Sequence, residues 1–184
     1  MDELEIKTIF VLLNADPSFS ITSPWDKKYN CIAWALMFDD RWIEPSGYQL
    51  DGVFIFWPSE VSKSYSIVAY RELFEHYGYE VCQSLLPEEG YRKVALYQDT
   101  DNTCTHASRL KSDGKWTSKL GQNEDIQHLN PQMLEGKDYG KLAYIMRKQV
   151  DTPVLNTSPL RDRKSSKQKK KKKQQQSSKK NKKK

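Results

Sequence analysis

Cys31, His106 and His128 are the side chains best suited to act as a nucleophile and its base, and Cys31 has the most telling position. Asn30 is a good helix cap, and Cys31-Ile-Ala-Trp-Ala-Leu-Met-Phe38 supplies helix formers with almost no polar face. A thiol in the first turn of a helix meets free backbone N–H groups and the positive end of the dipole, which favours the thiolate. A cysteine so placed serves a hydrolase or acyltransferase when an imidazole reaches it from a facing sheet. Spacing alone favours a structural cysteine packed beside Ile32 and Trp34, because cysteine is among the most buried residue types.

His106 falls in a strand candidate, Cys104-Thr-His-Ala-Ser-Arg109. There Cys104, His106 and Ser108 alternate onto one face, with Thr105, Ala107 and Arg109 on the other. Downstream, Ser118, Gln122, Asp125 and His128 form a run of side chains able to orient an imidazole, and Lys119 suits an anionic group. The expected catalytic set is therefore Cys31, His106, His128 and Asp125. Asn30, Ser108, Ser118 and Lys119 are the expected oxyanion or substrate contacts. Cys31, Cys104, His106 and His128 also comprise zinc-ligand types, but their spacings match no common zinc module. Eight scattered glycines give no phosphate loop or dinucleotide fingerprint, so neither a cofactor nor a resident metal is expected.

The elements that would position these residues run from helices to a meander. Residues 4–13 have helical amphipathicity, stopped before Pro17, and 18–30 read as a polar loop. The Cys31–Phe38 segment is the expected central helix. Residues 39–66 form a long aromatic connector, and Ile67–Tyr77 a second amphipathic helix stopped by Gly78. Strands are expected at 79–82, 93–97, 104–109, 116–119 and 142–146, with Ser112-Asp-Gly114 as a hairpin signal. This predicts an α+β fold, N-terminal helices packed on a small antiparallel sheet, as one domain over residues 1–150.

Charge divides the chain sharply. Residues 161–184 hold fourteen lysines and arginines against one aspartate, leaving sixteen basic and twenty-three acidic residues in 1–160, a net of −7. An acidic body argues against a nucleic-acid-binding face on the domain itself. Residues 151–184 are expected to be a disordered tail, since their lysine and glutamine runs lack apolar residues to offset ordering entropy. Lys164–Lys184 should attract polyanions without sequence preference. No stretch has the roughly 20 apolar residues of a membrane span, and no secretory leader is evident. Three cysteines without framework spacing fit a reducing compartment. The expected setting is intracellular and cytoplasmic, or nuclear in a eukaryotic or viral host.

Several blocks occur in one order: Tyr29-Asn-Cys-Ile-Ala-Trp-Ala35, Glu89-Gly-Tyr-Arg-Lys-Val-Ala-Leu-Tyr97, Thr105-His-Ala-Ser108, Trp116-Thr-Ser-Lys-Leu-Gly121 and Asp125-Ile-Gln-His128. Together they resemble an uncharacterised, mainly bacterial domain family of unknown function over about residues 8–147. A more distant likeness is to papain-like cysteine peptidases of the NlpC type. There Asn30-Cys31 resembles the nucleophile block and Thr105-His106-Ala107 the second-histidine block. Lys93 stands where those enzymes carry their base, and a lysine is ordinarily protonated at neutral pH. The likeness thus implies a papain-like arrangement in which His106 takes the base role, oriented by His128 or Asp125. The alternative is a non-catalytic interaction domain, with Tyr48, Phe54, Phe56 and Trp57 as a recognition surface and the basic tail binding polyanions. Substrate and protein partner are not specified by the sequence.

Overall fold

In the computed structural model, which describes residues 1–46 and 52–150, Asp2 opens α1 (Glu3–Ile9) through a reciprocal capping box with Glu5. A short 3₁₀ turn, Val11–Ala15, carries the chain onward. The expected polar loop contains a strand, β1 (Ser20–Ser23). Asn30 caps α2 (Cys31–Ala35), accepting from the Ala33 N–H, but the helix is only five residues long. It ends in a Schellman-type reversal: Phe38 N–H donates to the Ala33 carbonyl and Met37 N–H to the Trp34 carbonyl. Met37 occupies the left-handed position, φ 73°, where glycine is usual.

The aromatic connector holds a small parallel pair, β2 (Trp42–Ile43) and β3 (Ile55–Phe56). Ser66 caps α3 (Ile67–His76). Six further strands follow: β4 (Glu80–Cys82), β5 (Tyr91–Gln98), β6 (Cys104–Leu110), β7 (Trp116–Lys119), β8 (Asp125–His128) and β9 (Lys141–Gln149). With β1 they form one seven-stranded antiparallel sheet in the order β1-β8-β7-β6-β5-β9-β4.

This overturns the expected α+β, papain-like arrangement of helices on a small sheet. The sheet is the body of the domain, and the three helices are short. The reason lies in β5, where Lys93 to Tyr97 are buried without a break, as in a strand covered on both faces. On one face Val94, Leu96, Ala107 and Met146 pack with Ile32, Ala33, Leu73 and Phe74 of α2 and α3. On the other, Ala95, Tyr97, Trp116, Ile126 and Ile145 pack with Ile6, Phe10 and Leu13 near the N-terminus and with Leu134. The α2 face and the α1 face are thus separate cores with the sheet between them. Gly140 lets β9 start close against β5, since a Cβ there would collide with the Gln98 carbonyl. Among the described residues no helix is long and apolar enough to cross a membrane. The tail expected over residues 151–184 lies outside the described residues, as does Tyr48.

Candidate functional site

Strand alternation sorts the sequence candidates onto the two faces. Asn30 and Cys31 lie with α2, and the Cys31 sulfur sits against the backbone of Ala107. His106, one residue earlier on β6, projects the other way. Its ring stacks on Tyr139, centroids 4.0 Å apart and planes 4° from parallel, and leans on Tyr97. Neither ring nitrogen of His106 has a hydrogen-bond partner, although the residue is fully buried. The structure therefore does not join Cys31 and His106 by a hydrogen bond. Burial pushes the Cys31 thiol up to about 11, against the lowering expected of a nucleophile. A five-residue helix offers too small a dipole to oppose that desolvation. Burial, and then the neighbouring His128, holds His106 well below the usual histidine range, so it is neutral.

His128 does not orient His106. Its Nδ1 lies 2.8 Å from the Asn130 carbonyl, which can only accept, so Nδ1 carries the proton. Nε2 then accepts from the Ser118 hydroxyl at 3.0 Å. Serine and imidazole are paired as in a nucleophile–base dyad, yet both are fully buried, and the pair acts as a sealed link between β7 and β8. Ser108 is engaged by the Tyr97 hydroxyl. Asp125, far from any imidazole bond, accepts from the Ser23 and Tyr29 hydroxyls at 2.8 Å each. Lys119 lies 3.9 Å from Asp125, above the Tyr29 ring, and donates to the Asn123 carbonyl. The Asn30 side chain is spent on α2 and on both backbone groups of Ile43. Among the described residues no three His, Cys, Asp or Glu side chains gather closely enough to hold a metal ion.

The aromatic connector divides in its use. Trp57 packs edge-to-face on Tyr70 as core cover, and Phe54 and Phe56 flank the Arg41 guanidinium with Phe38.

The open concavity lies elsewhere. A groove of about 650 Å³ runs between the C-terminal end of α2 and the ends of β5 and β6, lined by Met37, Tyr79, Arg92, Val94, Arg109 and Leu110 among others. Arg109 lies flat on the Trp34 indole, 3.5 Å from its centroid, and its Nη1 donates to the Trp34 carbonyl and to Met37 Sδ. Nε and Nη2 have no protein partner among the described residues. Neither does Arg92, nor the Tyr79 hydroxyl. This group is hard to read from the sequence, because the histidine and serine of β6 that suggest chemistry lie on its other face. The available signal was Arg109 itself, sharing a strand face with Ala107 opposite a buried helix.

Residues 20–147 match a family described as a domain of unknown function, DUF7689. No curated protein and no solved structure matches the chain.

Proposed function

The chain belongs to that family of unknown function, and from this premise we propose that it is a non-catalytic binding domain. One observation carries the reading: His106, the only expected base on the strand beside α2, has both nitrogens unbonded, while the Cys31 thiol is held protonated. A Cys–His hydrolase needs the nucleophile and base within hydrogen-bond reach. What the domain does present is a concave groove with guanidinium groups that form no ion pair among the described residues. The basic tail adds a second activity, salt-sensitive attraction to polyanions through twelve lysines in residues 164–184.

Iodoacetamide labelling at pH 6, read by peptide mass spectrometry, tests the first claim. Cys31 should label no faster than Cys82; a Cys31 that outpaces it restores the hydrolase reading. For the tail, a chain ending at Leu160 should lose most of the affinity for heparin at low salt. Retained affinity would assign polyanion binding to the domain.

A further inference from the structure

The groove at the end of α2 carries two arginines that form no ion pair among the described residues. Arg92 on β5 pairs in register with Lys148 on β9, two like charges directly opposite one another, an arrangement that is itself destabilising. Arg109 lies one step along, beyond its register partner Val94, on the same face. None of the three forms an ion pair among the described residues. Two carboxylates line the groove, but Glu88 is held by Arg147 and Lys93, and exposed Glu89 pairs with neither arginine. Asp125 acts on Arg109 only at a distance, its bonded oxygen being taken by Ser23 and Tyr29.

The two arginines are not equivalent. Arg109 is fixed by the indole beneath it and by two acceptors at Nη1, which leaves the Nε–Nη2 edge as a preset fork. Such a fork matches two oxygens of a carboxylate or phosphate. Arg92 is exposed and brings a second charge, and the Tyr79 hydroxyl offers a further donor; Arg92 and Arg109 both act on that phenol electrostatically. A singly charged carboxylate would leave one arginine unbalanced, whereas a phosphate dianion answers both. The walls beside them, Met37, Pro87, Val94 and Leu110, are apolar and suit a hydrocarbon or ring. Met37 joins this wall with its backbone in the left-handed region, φ 73°, a conformation a non-glycine residue adopts at a cost.

We propose that this groove binds a small organic phosphate, a phosphate monoester on an aromatic or aliphatic body, gripped by Arg109 and Arg92. The proposal rests on the binding-domain reading and gives it a ligand class.

The test titrates the full chain with phenyl phosphate in about 150 mM salt, which screens the lysine tail, and follows binding by calorimetry. Inorganic phosphate and benzoate serve as separate arms. Phenyl phosphate should bind best, and Arg92→Ala or Arg109→Lys should each weaken it about tenfold or more. Both variants leave the tail intact, and exposed Arg92 is expendable to the fold, so loss in Arg92→Ala is read against an unchanged melting curve. Affinity unchanged in both variants would assign the phosphate to the tail and overturn the proposal. Benzoate binding as well as phenyl phosphate would overturn the dianion, and inorganic phosphate binding equally well would overturn the apolar body. If no phosphate binds while Cys31 labels slowly, the ligand class falls and the binding-domain reading stands. Fast Cys31 labelling removes that reading too.

Discussion

Strands β5 and β9 carry two cationic pairs back to back. Lys93 and Arg147 face one way, Arg92 and Lys148 the other, and each pair sits in register. The first pair is neutralised by the protein's own carboxylates. Lys93 is buried, donates to the Ser84 carbonyl and meets Glu88 at 3.3 Å, while Arg147 grips Glu80 at 2.9 Å and Glu88 at 2.7 Å. The second pair forms no ion pair among the described residues, and its Arg92 lines, with Arg109, a groove open to solvent. Neighbouring residues of one strand thus hold like charges that the fold treats in opposite ways. Where the protein supplies counter-charges, the cations belong to the architecture. Where it withholds them and keeps the site open, the cations are available to something else.

The largest test of this contrast is acid. Burial depresses His128 to about 4 from an ordinary 6.5, and lowers His106 in the same direction. Both rings sit in the closed face, so below about pH 6.5 the unfolded chain takes up protons that the folded chain refuses. Stability should be full above pH 6.5 and fall as the pH drops toward 4, by about 3 kcal/mol from His128 alone. Urea unfolding at a series of pH values checks this, and a flat profile between 6.5 and 4 would mean the closed face is not closed.

Lys93→Ala comes next. It removes a buried aliphatic stem and leaves a void, and should cost about 2 kcal/mol in urea unfolding at neutral pH. The matched change one residue earlier should do the least. Arg92→Ala, on the exposed side and freed of its repulsion with Lys148, should alter stability by no more than about 0.5 kcal/mol, in either direction, in phosphate-free buffer. Equal losses from the two substitutions would erase the distinction between an architectural and an available cluster.

Local signals carried much of the chain. Asn30 caps α2 and Ser66 caps α3, and Gly78 ends the second as expected. Strand β7 has the predicted bounds, and β5, β6 and β9 extend the predicted ones by one to three residues at an end. The misses share a cause. Ser20–Ser23 and Asp125–His128 are polar enough to look like loop and site, and they pair with each other at the sheet's edge, where β8 also pairs with β7. Of the site candidates, Ser118 and His128 do come together, and Lys119 lies near Asp125. Cys31 and His106 go together in the sequence by residue type and by a family likeness, and neither says which side of a sheet a side chain takes.

The sequence by itself determined the capped helix starts, the hairpin meander, and the segregation of positive charge into the last residues, because these depend on neighbours in the chain. Only the tertiary structure decided that a seven-stranded sheet separates thiol from imidazole, and that Arg92 and Arg109 line one groove with no ion pair among the described residues. Those outcomes depend on strand order and register, which bring residues together across long separations and fix the face each one occupies.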